Sequence, residues 1–444
     1  MRARELVLLV LVAFLAVLQV APGAEKRDAG YANFKTFVTV LEQVKRSYVV
    51  PVDDEKLFYG AFKGMLAELD PYSQFMTRED VEQLEVDTEG EFGGLGIEIT
   101  LDQNRILTVI TPLEDTPAMK AGVLPGDRIV EIEGHNTYNI TLMEAVKRLR
   151  GKPGTKVTIT VVHQFLGKRE TITLTRDIIK VRSVRARKMV DAEGKIGYIR
   201  INNFQRTTAE ELEQAVKELV GEGMKALVLD LRRNPGGLLD SAVAVADLFI
   251  EKGVIVSTKG RNPDAVHQFD AHKEGTYSDF PLAVLVSNFS ASGSEIVAGA
   301  IQDSHRGLIV GQRSYGKASV QSILSLDNGC KLRLTTARYY TPAGRLIHRE
   351  IDAKEDGAWG IHPDLEVKTT YEDEVGLGEH FRDERVSEST KNGTPIPPEP
   401  APPVEGEEKK KEGEKKEGEK KPFVDAALVR AMDALKAILV YEKR

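Results

Sequence analysis

Between residues 195 and 310 the chain alternates short apolar runs with amphipathic stretches, and this pattern restricts its fold more than any other feature. Residues 196–201, 226–231, 282–286 and 308–310 are near-continuous apolar runs, and 254–257 adds another. Such runs read as strands buried on both faces. Residues 208–220, 239–250 and 295–302 carry apolar positions at helical spacing, and Thr208-x-x-Glu211 reads as a capping box opening the first. The expectation is an α/β core, a mostly parallel sheet covered by helices.

The flanks differ. Residues 91–178 read as a compact β-rich unit. Its strands fall near 96–99, 107–110, 126–132, 157–162 and 170–174, its short helix at 117–122 ends in a glycine cap, and Leu142, Ala145, Val146 and Leu149 form one helical stripe. Residues 25–90 form a helical region contributing to the core. Phe34, Phe37, Val38, Leu41, Val44 and Tyr48 mark its first helix, a second runs over 55–69 to Asp70-Pro71, and 79–91 is a polar linker or exposed helix. The α/β core spans 179–370. From 371 to 422 the chain reads as a charged, proline-rich tether, with Glu412-Gly413-Glu414-Lys415-Lys416 repeated at 417–421. Residues 423–444 hold an amphipathic helix with Leu428, Met432, Leu435 and Leu439 on one face. It is expected to dock on its own body, on a second subunit or on an adaptor.

Arg2 and Arg4 precede an apolar run over residues 6–21 and a small-residue exit at Pro22-Gly23-Ala24. Residues 1–24 therefore read as an export signal, or as an uncleaved membrane anchor, since Pro22 is poor before a cut after Ala24. Either reading puts the remainder of the chain outside the cytoplasm. The net charge of −7 gives no footprint for nucleic acid. The lone cysteine, Cys330, excludes an internal disulfide and reads as a packed strand residue.

Three loops carry candidate chemistry. Ser292 follows a buried strand and opens a helix in Ser290-Ala291-Ser292-Gly293-Ser294-Glu295. A helix N-terminus offers free N–H groups suited to an oxyanion, although Ser292-x-x-Glu295 is also an ordinary capping box. Asn234-Pro235-Gly236-Gly237 ends another buried strand, and paired glycines let backbone N–H groups approach a ligand. Gly311-Gln312-Arg313-Ser314-Tyr315-Gly316-Lys317-Ala318 nearly matches a phosphate-binding loop. Ala318 lacks the metal-binding hydroxyl, and the strand-like residues 319–324 stand where that loop requires a helix. Lys317 among small and apolar neighbours reads better as a base. No Gly-x-Ser-x-Gly elbow, obvious histidine base or His-Glu-x-x-His cluster is present, and no metal or organic cofactor is expected.

Together with Glu91-Phe92-Gly93-Gly94-Leu95-Gly96-Ile97, Ala121-Gly122-x-x-x-Gly126-Asp127-x-Ile129, Ser314-Tyr315-Gly316-Lys317 and the run from Thr335 to Pro342, these motifs resemble, in order, the bacterial C-terminal processing (tail-specific) peptidases. The resemblance covers about residues 34–370. It implies a crotonase- or ClpP-like serine protease core with an inserted PDZ domain. It also implies Ser292 as nucleophile, Lys317 as general base, Gln321 orienting the lysine, and the N–H groups of Gly237 and Gly293 as oxyanion donors. Gly293 departs from the alanine usual in the family, which matters little because only its backbone is needed. Gly94-Leu95-Gly96-Ile97 has the composition of a nest for a terminal carboxylate, with a protein substrate's tail adding as a strand. Two other readings stay open: a non-catalytic PDZ scaffold, and a P-loop nucleotide-binding protein.

Overall fold

The computed structural model describes residues 24–391 and 423–441, apart from positions 103, 114, 164–166, 262–265, 351–352 and 355–356. Residues 1–23, where an export signal or anchor is expected, and the charged repeats at 412–421 lie outside the described residues. Among those described, no helix is long and apolar enough to cross a membrane.

The chain divides into two units, Met1–Thr77 and Arg78–Arg444. In the first, α1 (Ala24–Ser47) and α2 (Asp54–Ala67) are the two helices read from the sequence. Asp53 caps α2 by accepting the Lys56 N–H. β1 (Gln74–Met76) follows, and Tyr59 and Phe62 pack on Phe75.

The second unit opens with α3 (Arg78–Glu89), so the acidic stretch is a helix. Next come β2 (Glu91–Gly94), β3 (Ile97–Leu101), β4 (Leu107–Pro112), α4 (Pro117–Lys120), β5 (Arg128–Ile132) and β6 (His135–Asn136). The β-rich part closes with α5 (Leu142–Leu149), β7 (Lys156–Val162), β8 (Arg169–Thr175) and β9 (Asp177–Lys180). Its antiparallel sheet runs β3-β4-β5-β7-β8 around a core of its own, including Leu107, Val109, Ile129, Ile159 and Val161. β2 pairs with β9 from Glu91↔Lys180 to Gly94↔Asp177, a two-stranded stem where the chain enters and leaves this part.

The α/β core comprises β10 (Val184–Asp191), β11 (Ile196–Ile201), α6 (Thr208–Gly221), β12 (Ala226–Asp230), α7 (Leu239–Asp247), β13 (Val254–Gly260), β14 (His267–Asp270) and β15 (Leu282–Val286). It continues through α8 (Gly293–Asp303), β16 (Leu308–Gly311), β17 (Ser319–Ser325), β18 (Lys331–Tyr340), β19 (Leu365–Glu366), α9 (Tyr371–Lys391) and α10 (Ala426–Tyr441). The main sheet runs β10-β11-β12-β15-β16-β19 and is parallel from β11 onward. Alternation of side chains gives it two apolar faces. Ile199, Ile201, Leu227, Leu229, Val284 and Val286 face the cluster that includes α6, α7 and α8. Ile196, Tyr198, Ala226, Val228, Ala283 and Leu285 pack with Ala427, Ala431 and Leu435 of α10. The last helix therefore docks on its own chain.

Three sequence expectations need correction. β13 does not join the parallel sheet; it pairs antiparallel with β14 and β18, and β17 flanks β18. Thr208 does not cap α6: Thr207 stands at the cap, Thr208 Oγ1 accepts the Gln205 N–H, and Glu211 accepts the N–H groups of Ser183 and Val184. The stretch from Tyr371, read as the start of a loose tether, is the helix α9. Tertiary docking holds it: Leu377 is buried and the Arg200 guanidinium lies 3.7 Å from the Phe381 ring centroid.

Candidate active site

Ser292 stands between β15 and α8 with φ 52° and ψ −111°, a strained conformation for a residue with a side chain. Its turn is pinned from below. Ser290, fully buried, accepts the Ser287 N–H and donates to Leu231 O at 2.8 Å. Ser292 itself is half-buried.

The Asn234–Gly237 loop lies directly against this turn. Asn234 is fully buried; its Nδ2 donates to Ile201 O and its Oδ1 accepts the Gly236 N–H at 2.8 Å. Its carbonyl accepts the Ala291 N–H and the Ser294 hydroxyl. Gly236 has φ 101°, and a β-carbon there would lie 2.7 Å from Ser292 Cβ and 2.8 Å from Gly293 N. Only glycine fits so close an approach. Gly237 bridges to Phe204, flanked by Phe204 N–H to Gly236 O and Leu238 N–H to Phe204 O. The N–H groups of Gly237 and Gly293 donate to no other group among the described residues. At Gly293 a β-carbon would come within 2.9 Å of the Phe204 ring and 3.2 Å of Ala242 Cβ. Here the large neighbouring side chain takes the space that an alanine methyl would need.

The third loop is tied to the Ser292 turn by Tyr315 N–H, which donates to Ser290 O at 3.0 Å, and by one carboxylate. Glu295 is fully buried. Its Oε2 accepts the N–H groups of Ser292 and Lys317, each at 2.8 Å, and its Oε1 accepts the Ser314 hydroxyl and the Gly316 N–H at 2.6 Å. Burial pushes this carboxyl above the usual carboxylate range, against the pull of those four bonds. Tyr339, also buried, places its hydroxyl 3.0 Å from Ser292 O and 2.6 Å from Lys317 O. Lys317 is half-buried. The Gln321 amide donates to Ser319 Oγ at 2.8 Å.

The structure thus brings Ser292, Gly293, Gly236, Gly237 and the Lys317 backbone together. Glu295 has a larger part than the sequence suggests, where it reads only as the partner in a capping box. Tyr339 and Asn234 lie inside quoted motifs, but a linear pattern cannot say that they join separate loops.

Gly94, Leu95 and Gly96 are buried at the start of β3, and Ile97 is half-buried. β3 is the terminal strand of its sheet, so one of its edges is unpaired within it. Gly96 has φ 73° and packs on Thr116. A cavity of about 70 Å³ lies between β3 and α5, lined by Phe92, Leu95, Gly96, Ile97, Val146 and Arg150 among others. An unpaired strand edge beside an apolar cavity is a kind of surface to which an extended peptide can add as a strand.

A serine on a strained strand-to-helix turn, beside unengaged N–H groups and a lysine loop, defines a serine-type hydrolase site. Residues 195–367 match the model of peptidase family S41, 108–162 match a PDZ domain, and 16–80 match the N-terminal domain of the activating protease CtpB. A carboxy-terminal-processing protease of Bartonella bacilliformis is 44% identical over 342 residues, 76% of this chain and 76% of that protein. A "Probable CtpA-like serine protease" of Staphylococcus aureus is 34% identical over 385 residues, 86% of this chain and 74% of that one. The solved photosystem II D1 C-terminal processing protease is 31% identical, with 75% of this chain and 86% of that one covered at a TM-score of 0.43. The chain belongs to peptidase family S41 and is a serine-type protease, an α/β core carrying an inserted PDZ domain.

Proposed function

We propose that this protein is a C-terminal processing endopeptidase that captures substrate tails on β3 of its PDZ domain and cleaves with Ser292 and Lys317. The observation that carries this reading is that Glu295 and Tyr339 join the Ser292 turn to the Lys317 loop while the Gly236-Gly237 turn packs directly against Ser292 and Gly293. Neutral Lys317 takes the Ser292 proton as the hydroxyl attacks the scissile carbonyl. The N–H groups of Gly237 and Gly293 receive the oxyanion. The amine leaves with a proton returned by the lysine, and water activated by the same lysine hydrolyses the acyl-enzyme. Gln321, whose amide donates to Ser319 Oγ near the base of the Lys317 loop, orients the lysine in this reading. The PDZ domain raises the local concentration of tails at the site.

The export reading of residues 1–24 supports a periplasmic protein, free or anchored to the inner membrane. The exposed Tyr31, Phe34 and Val40 of α1 support association through the N-terminal helices. The test uses the chain from Glu25 onward and an unfolded protein with either a free or an amidated C-terminus. Cleavage is expected to require Ser292 and to fall about tenfold to a hundredfold on amidation at subsaturating substrate, through loss of charge-assisted hydrogen bonds. Equal cleavage of both forms would remove tail recognition while leaving the peptidase intact.

A further inference from the structure

We propose that Glu295 and Tyr339 are positioning residues that fix the Ser292 turn against the Lys317 loop, and that proton transfer between the two depends on them. The inference deepens the Ser292–Lys317 reading above and rests on it.

Ser292 and Lys317 belong to different elements, the N-terminus of α8 and the loop between β16 and β17. No strand ladder or helix turn joins them directly. Besides the Tyr315 N–H bond to Ser290 O, which ties the two loops, a pair of buried polar groups joins the two residues themselves. Glu295 Oε2 takes the backbone N–H of each at 2.8 Å, and the Tyr339 hydroxyl lies at the backbone carbonyl of each, 3.0 and 2.6 Å away. Both peptide groups of the pair are held from two sides.

A helix cap would account for only one of the four bonds to Glu295, that from the Ser292 N–H. The other three come from Ser314, Gly316 and Lys317. All four partners act as donors, which suits an ionised carboxylate, an acceptor at both oxygens. An amide would turn its own N–H groups toward donors. The clamp also explains how Ser292 keeps its positive φ: such a conformation persists only where the surroundings over-determine it. A general base works only within hydrogen-bond reach of the proton it takes, so slackening this joint should reach the rate before it reaches substrate affinity.

The test compares Glu295→Gln, Glu295→Asp and Tyr339→Phe in the chain from Glu25 onward, with unfolded casein as substrate and a free-acid peptide as PDZ ligand. Glu295→Gln should lower kcat about 100-fold, the cost of roughly 1 Å of misplacement, with KM and peptide affinity within about twofold. Glu295→Asp, which keeps the charge and both acceptors, should recover about tenfold of that loss. Tyr339→Phe, nearly isosteric, should keep its Tm and lose about tenfold in kcat. Should Glu295→Gln fail to fold, Tyr339→Phe decides alone. A folded Tyr339→Phe enzyme with wild-type kcat would overturn the clamp, as would a Glu295→Gln enzyme that changes only Tm. Ser292→Ala and Lys317→Ala serve as controls. If either turns over substrate, the Ser–Lys reading fails; if both are dead while the clamp variants are fully active, only the clamp fails.

Discussion

Ser292 sits where a residue with a β-carbon is strained by about 1–3 kcal/mol, and relaxing it would move the hydroxyl off the turn. Ser292→Ala and Lys317→Ala should each lower kcat by about 10³-fold or more, and the double variant should be no worse than either single one. Additive losses, read from single-turnover rates, would mean that the two side chains act in separate steps. Glu295 gives a second handle through pH. Its carboxyl is raised above the unfolded range by burial, so the stability it contributes is fully present below the unfolded value and is lost as pH rises through the folded one. Glu295→Gln removes that dependence. The Tm of wild type relative to this variant should therefore rise as pH falls from neutral through the raised carboxyl range. A difference that stays flat over that range would show that Glu295 does not titrate there. The sequence singled out the loops of Ser292, Gly237, Gly293 and Lys317 because each holds small residues beside a buried strand, and the family resemblance supplied their expected roles. It did not make Glu295 or Tyr339 readable as joints, because each acts on backbone groups that are distant along the chain.

At the scale of elements, what was legible depended on local periodicity. The four parallel strands β11, β12, β15 and β16 and their covering helices declared themselves as apolar runs and stripes. β13 looks like one of them, yet a run of apolar residues carries no information about its pairing partner. The helix α9 was missed for the opposite reason. Gly376 and Gly378 interrupt it, and it has no continuous apolar stripe. It is held by particular contacts: Arg233 donates to Glu374 O, and Arg200 stacks on Phe381. β3 is the element on which the proposed tail recognition would turn. A β-carbon on Gly96 would fall 2.3 Å from the Thr116 side chain, and its φ of 73° excludes β-branched residues. Gly96→Val should weaken binding of a free-acid peptide by about tenfold to a hundredfold, the value of the lost charge-assisted bonds. The α/β core should keep its catalytic competence toward short peptides that already saturate it. Unchanged peptide affinity, measured by calorimetry, would move the tail site elsewhere.

Across the whole chain, the C-terminal helix closes the core and reaches back toward the active-site loops. α10 covers one apolar face of the parallel sheet, and just before it Asp425 pairs with Arg232 through two bonds of 2.7 Å. Arg232 is buried and also bound to Asp230, and two residues later Asn234 holds the Gly236 N–H. Burial alone would raise the Asp425 carboxyl, but the hydrogen bonds and charge of Arg232 hold it below the usual range. The linkage has a definite sign: a lowered carboxyl contributes stability that is present above the unfolded value and lost as pH falls through the folded one. Asp425→Asn should therefore cost about 1–3 kcal/mol near neutral pH, less than a fully orphaned buried charge because Asp230 remains, and the cost should shrink on acidification. A larger intervention, ending the chain at residue 391, strips α10 from the sheet. Ala226, Val228, Ala283, Leu285 and Val310 would then face water, the kind of apolar patch that drives association. Such a chain should bind a hydrophobic dye, tend to aggregate and lose proteolysis. Adding a peptide of residues 423–444 should restore activity in proportion to its occupancy of the sheet. If the truncated chain is instead monomeric and fully active, α10 is dispensable to the active site and the Asp425–Arg232 pair serves stability alone.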